Sequence, residues 1–444
     1  MTVAGCARIT GEQAVKTMST IALGSWLGFL LVSDLGTEPC AGQESTAASI
    51  REDWSDWRGP RRDGISRETG LLLEWEKHPP QRRWQRPLGS GYSSMTIVDG
   101  RVFTMAVTAD GEFVFALDAS NGKTLWKVRS GATFEDSYGD GPRGTPVVDH
   151  GRVYALGAHG DLLCLQVTTG KEVWRRNILK DFGAPNIRWG ISSTPLIVDD
   201  NLIVQVGAKT ASIVSLNKTT GQLVWKTYDD VSGYSSPLLI RVPGPAGPVP
   251  HVVVHCGRSL VGIAPSDGEV HWKFPWLTTN DMNIATPIFD PKRRLLFVSA
   301  SRDTGRCSAY RLTVADEKIR AEEVYTNKQM RNHYNGCILV GDYLYGFDNA
   351  ILKCLELETG KVMWEDRTVG KGSLLAVQDH LLVLGEKGEM AVVLATPEEY
   401  VEKGRFPVLR SRRAWTPPAL AQGHLYVRDL QEITSIDLNE SAGR

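Results

Sequence analysis

The chain has 444 residues, with 50 Lys+Arg against 51 Asp+Glu, a formal net charge of −1, and no long run of either sign. That balance excludes the basic face of a nucleic-acid binder and gives no electrostatic reason to sit on an anionic membrane surface. Length alone would suggest two or three domains, but an internal repeat can build one closed array of this size.

The first segment differs from the rest. Arg8 and Lys16 precede an apolar run over residues 18–32, which is short for a membrane span and suits the hydrophobic region of a signal peptide. Small residues follow Pro39, so residues 1–42 are expected to be an export signal cleaved near Gly42 or, uncleaved, a signal anchor. Cys40 follows Thr37-Glu38-Pro39, which is not a lipobox. Residues 43–80 are expected to form a leader packed on the following domain. Its Arg58, Arg61, Arg62 and Asp63 read as a solvated face.

From residue 82 onward the chain reads as strands. "RRWQRPL" (82–88), with Trp84, is a strand lacking a neighbour in sequence. Eight similar starts follow, among them "SSMTIVDGRVFTM" (93–105), "GTPVVDHGRVYALG" (144–157), "NGCILVGDYLYGFD" (335–348) and "TPPALAQGHLYVRD" (416–429). Each is a short strand, a turn of Asp, Gly or Asn type, and a second alternating strand. A second phrase then recurs: "DASNGKTLWK" (118–127), "QVTTGKEVWR" (166–175), "NKTTGQLVWK" (217–226), "APSDGEVHWK" (264–273) and "ELETGKVMWE" (356–365). It supplies a third strand, a turn at the glycine, and a fourth strand holding tryptophan. Trp126, Trp174, Trp225 and Trp272 recur at intervals in the high forties, and Trp364 lies about two periods further on, with Tyr325 near the missing position. Strands at this period are the signature of propeller blades. The last unit stops near Leu438 without a fourth strand. If residues 82–88 supply it, the sheet edge is paired and the ring closes. The expectation is an all-β, eight-bladed propeller of four-stranded blades over residues 81–438, with a tail at 439–444.

These phrases resemble the tryptophan-docking repeat of pyrrolo-quinoline quinone (PQQ) propellers, shared by quinoprotein alcohol dehydrogenases and BamB-type assembly proteins. "DWSDWRGPRRDGIS" (53–66) resembles the leader of planctomycete-type exported members. The resemblance implies that Trp84, Trp126, Trp174, Trp225, Trp272 and Trp364 pack each blade against its neighbour, a sufficient reason to retain them without any ligand. It also raises PQQ and calcium as cofactors of an alcohol or sugar dehydrogenase, which would need a carboxylate base, oxygen ligands and cations. The adjacent-cysteine pair of those dehydrogenases is missing from the sequence, and Cys164, Cys256, Cys307, Cys337 and Cys354 are widely spaced with no CxxC. Small buried hydrophobes in strands is the expected role for such cysteines.

The links between blades converge on one mouth, a default ligand site. They offer Tyr92, Asp136, Asp140, Arg143, Arg188, Trp189, Tyr234, Asn283, His333, Asn335, Lys371 and Trp415, with Asp281 and Arg413 beside them. Arg143, Arg188 and Lys371 admit two readings: cations for a ligand, or partners of Asp136, Asp140 or Asp181 in neighbouring loops. Packing is the expected role of Trp189 and Trp415. His251 and His255, four apart in a strand, stand too far apart along one face to chelate a metal. No catalytic residue or metal site is assigned. The expectation is an exported, periplasmic or otherwise extracytoplasmic, monomeric propeller that binds a protein, peptide, saccharide or small molecule, with the PQQ- and calcium-dependent dehydrogenase as the alternative.

Overall fold

The computed structural model describes residues 49–301, 305–316, 318–410 and 413–440; the expected signal segment lies outside them. Eight antiparallel sheets follow one another around a ring. Blade 1 runs Thr96–Val98, Arg101–Thr108, Gly111–Asp118 and Thr124–Gly131, and the next six blades repeat this meander. Blade 8 consists of Ala419–Ala421, His424–Arg428 and Glu432–Asp437, completed by the N-terminal strand Gln81–Pro87, which pairs antiparallel with Glu432–Asp437. The ring therefore closes as the unpaired strand 82–88 required.

The recurring glycine and tryptophan work across blade boundaries. The Trp126 indole N–H donates to the Val167 carbonyl of blade 2 at 3.0 Å. The same bond joins Trp174 to Lys218, Trp225 to Pro265, Trp84 to Ala119 and Trp364 to Thr396. Tyr325 fills the degenerate position and donates from its hydroxyl to the Leu357 carbonyl. The turn glycine of the following blade lies flat on the ring. Gly170 has φ +70°, and a Cβ there would stand 2.7 Å from the Trp126 ring. Only glycine meets both conditions, since a left-handed residue with a side chain costs about 1–2 kcal/mol before any clash. Gly170→Ala is thus expected to destabilise the protein by at least that amount, read as a lower guanidinium chloride midpoint. A midpoint equal to wild type would mean the ring and turn are not in register. Trp272 departs from the pattern: it is buried, but its indole N–H has no partner among the described residues.

Two features were not expected. Blade 7 gains a fifth strand, the leader pair Ile65–Ser66, parallel to Gly372–Val377. And the leader is not a solvated face. Arg58 and Arg62 are 9% and 5% exposed. Arg62 donates to the carbonyls of Pro237 (2.8 Å) and Pro195 and to Asp56, while Arg58 donates to the carbonyl of Cys337. The innermost strands of an eight-bladed ring aim carbonyls at the axis, where no strand can answer them. The two guanidinium groups supply the missing donors, so the leader crosses the channel. Arg61, by contrast, stays half-buried and grips Glu52 and the Ile65 carbonyl. Among the described residues, Cys164, Cys256, Cys307, Cys337 and Cys354 are all buried and form no disulfide. Among the described residues, no helix is long and apolar enough to cross a membrane.

Candidate functional site

The links between blades and the leader line one open-mouthed cavity of about 190 Å³. Eight of the expected mouth residues line it: Tyr92, Asp136, Arg143, Trp189, Tyr234, His333, Asn335 and Trp415. Asp140, Arg188, Asn283 and Lys371 do not. Asp140 accepts the backbone N–H of Asp136 and holds that loop. Asn283 is fully buried, and its amide donates to the carbonyls of Cys256, Gly257 and Trp276. Arg188 is exposed on the rim, its guanidinium 5.0 Å from the Trp189 ring, and Asp181 is paired with Arg176 instead. Lys371 lies behind the wall, its amine 3.0 Å from His333 Nδ1 and 5.5 Å from the Tyr334 ring centre.

The lining is more aromatic than the polar link sequences suggest, because the charges serve the loops that carry them. Arg143 donates to the carbonyls of Gly139 and Gly141 and stands 3.9 Å from Asp136, with its guanidinium over Phe134. Burial pushes its pKa down from the usual value, and Asp136 opposes that shift. Asp281, meanwhile, pairs with Arg258 at 3.2 Å. Arg413 donates to the Tyr138 carbonyl. What faces the cavity is a set of rings. Trp415 stacks on Tyr92 (5.6 Å) and Tyr334 (5.0 Å) and tilts against Tyr138; its indole N–H donates to Glu386. Trp189 tilts against Tyr234, whose hydroxyl burial pushes up to about 12. The short helix Ile178–Phe182, capped by Asn177 and closed by Gly183, shapes the link that carries Trp189.

Trp57 also lines the cavity, and it comes from the leader. Its indole N–H reaches Thr286 Oγ1 at 3.4 Å, and Arg58 and Arg62 on either side of the turn fix it to the inner strands of blades 3, 4 and 6. The cavity is therefore a blind mouth floored by a segment outside the repeats. Tyr138 and Tyr334 were within the same links as Asp136 and His333; their aromatic character was the available signal. A roomier groove of about 710 Å³ runs between blades 1 and 2, but its Arg175 is occupied by Glu172 and by the Ser130 and Arg129 carbonyls.

The donor set does not fit calcium and a quinone carrying carboxylates. Among the described residues no three His, Cys, Asp or Glu side chains gather at one point. Asp136 accepts the Tyr138 N–H, Asp140 the Asp136 N–H, Asp281 pairs with Arg258, the Asn283 oxygen accepts the Thr278 hydroxyl at 3.1 Å, and the cation in the wall, Arg143, holds its own loop.

The sequence matches the PQQ_2 family, described as outer membrane protein assembly factor BamB, over residues 64–188 and 110–366. Quinoprotein alcohol dehydrogenase PedH of Pseudomonas putida is 26% identical over 188 residues, which is 39% of this chain and 30% of that protein. Outer membrane protein assembly factor BamB of Moranella endobia is 27% identical over 172 residues, 38% of this chain and 37% of that protein. The matches thus span about a third of the length of these curated relatives. The crystal structure of BamB from Moraxella catarrhalis superposes with a TM-score of 0.58 at 14% identity, covering 81% of this chain and all of that one, a likeness of fold. The matched residues extend over more than half of the chain, through the blades whose glycine–tryptophan contacts build the ring, and the protein belongs to this BamB-type family of PQQ-repeat propellers.

Proposed function

We propose that this propeller is an exported binding protein that holds a small ligand or a partner's side chain in the blind cavity at its mouth and does no chemistry on it. One observation carries the reading: seven Trp and Tyr rings, from Trp57, Tyr92, Tyr138, Trp189, Tyr234, Tyr334 and Trp415, line a single concave space in which the charged side chains Arg143 and Asp136 stand against each other. A concave, mostly apolar pocket with few polar groups binds by shape and stacking. Export rests on the sequence of residues 1–42, on a leader of planctomycete type, and on a relative named for outer-membrane assembly. A monomer is expected.

The test is a melting curve of the purified chain with PQQ and calcium. A ligand that binds only the folded state must stabilise it, by about 2.7 kcal/mol at a hundredfold excess over Kd. We expect no shift at saturating cofactor and no dye-linked oxidation of alcohols or sugars. A rise of several degrees together with turnover would replace the binding reading by the quinoprotein dehydrogenase.

A further inference from the structure

Next to the mouth cavity, and sharing Trp57, Tyr334 and Asn335 with it, lies a space of about 20 Å³ that Ser373 also borders, enough for one water molecule or one hydroxyl group. Two side-chain oxygens on its border, Tyr334 Oη and Ser373 Oγ, are buried and unbonded. Ser373 is 1% exposed. Buried hydroxyls are ordinarily hydrogen-bonded, so two unanswered ones beside the same space point to a polar occupant.

Above them the rings are already engaged. Trp415 stacks with Tyr92 and Tyr334, and Trp189 meets Tyr234. Trp57 contacts no other ring among the described residues, so its indole is the one offered to a ligand. The carboxylate and the guanidinium that line the cavity, Asp136 and Arg143, stand 3.9 Å apart and offset one another, so the lining favours a neutral ligand.

We propose that the cavity takes one neutral hexopyranose unit, its C–H face on Trp57 and its hydroxyls meeting Tyr334 Oη and Ser373 Oγ. A pyranose ring combines what the site asks for: an apolar face to cover an aromatic ring, and hydroxyls at the edge that both donate and accept. A flat hydrocarbon would leave the buried hydroxyls unanswered. An anion would have to displace Asp136 from Arg143. The proposal rests on the binding reading of the mouth and assigns its ligand class.

The full chain is titrated calorimetrically with D-glucose, D-galactose and D-mannose, and separately with indole as a flat apolar probe, each up to a concentration that detects Kd values of about 1–10 mM. At least one hexose is expected to bind saturably. Tyr334→Phe removes only an unbonded hydroxyl, so it should weaken hexose binding about fivefold while leaving the melting temperature unchanged or higher. Trp57→Ala should weaken it about tenfold or more, with Trp57→Phe between the two. If Trp57→Ala does not fold, Tyr334→Phe and Trp57→Phe carry the test. Indole binding that depends on Trp57, with no hexose bound, overturns the sugar assignment and keeps the binding cavity. Failure of both probes overturns both. Hexose binding indifferent to Tyr334→Phe and Trp57→Phe places the sugar elsewhere and overturns the proposal.

Discussion

Arg428→Met is expected to destabilise the ring by about 3–5 kcal/mol, the range found when one side of a buried charged contact is removed. Arg428 is fully buried in the second strand of blade 8. Its guanidinium donates to the Met105 carbonyl (2.6 Å), Thr104 Oγ1 (3.1 Å) and the Ser93 carbonyl (3.2 Å), all in or beside blade 1, and to the Gly89 carbonyl (3.1 Å). Burial pushes its pKa down to about 10, so it remains charged at neutral pH. Methionine fills similar space but answers none of these acceptors, and each carbonyl left buried without a donor carries a desolvation cost. The bonds span the seam where the last blade meets the first. The chain itself joins blade 1 only to the outer strand Gln81–Pro87 of blade 8, so the three C-terminal strands are held to the start of the ring by non-covalent contacts, sheet pairing and these bonds among them. Chemical denaturation of wild type and variant measures the loss. A loss below about 1 kcal/mol would show that the strand Gln81–Pro87 closes the ring unaided.

The seam shows where the sequence was readable and where it was not. Eight strand–turn–strand starts and a tryptophan period in the high forties specify eight blades, because turn chemistry and alternation are local. The closing strand was legible for the same reason: a unit lacking a fourth strand and a strand lacking a unit have one economical solution. The glycine–tryptophan phrase was legible as a hairpin and a packed ring, but not as a contact between successive copies, since Gly170 meets Trp126 only after the blades are placed side by side.

The leader was misread for a physical reason. "WRGPRRDG" has the composition of a solvated loop, and burying Arg58 and Arg62 is unfavourable anywhere that lacks acceptors at the right spacing. The inner strands of blades 3, 4 and 6 provide those acceptors only once the ring exists. The same applies to the mouth. Arg143, Asp136 and Asp140 look like ligand groups in a list of loops, whereas in space they satisfy backbone groups of their own loop and leave the tyrosines and tryptophans to face the cavity. Trp57 could not be assigned to the site from sequence because its position depends on the two buried arginines.

Acid is expected to destabilise the protein through blade 4. His251 and His255 are both fully buried in Gly247–His255. His251 lies against His271 and Trp272, and both its ring nitrogens lack partners. His255 stands edge-on to Trp276. Burial pushes both imidazoles down to about 3, and the neighbours His271 and Arg306 add to the shift. The unfolded chain binds these protons near pH 6.5 and the folded chain does not, so the contribution is complete above pH 6.5 and is lost as pH falls toward 3. Each histidine costs about 1.4 kcal/mol per pH unit in that window, or about 2 kcal/mol on going from pH 6.5 to 5. Glu112 acts in the opposite sense. Burial raises its carboxyl to about 7, so between 4.5 and 7 the folded state holds the proton and stability falls as pH rises. Denaturation midpoints from pH 4.5 to 6.5 separate the two. The double variant His251→Phe, His255→Phe should have a slope with pH shallower than wild type by up to about 2.7 kcal/mol per unit, and Glu112→Gln a steeper one. Parallel curves for wild type and the double variant would show that the histidines reach solvent or gain partners, and that blade 4 is not where acid acts.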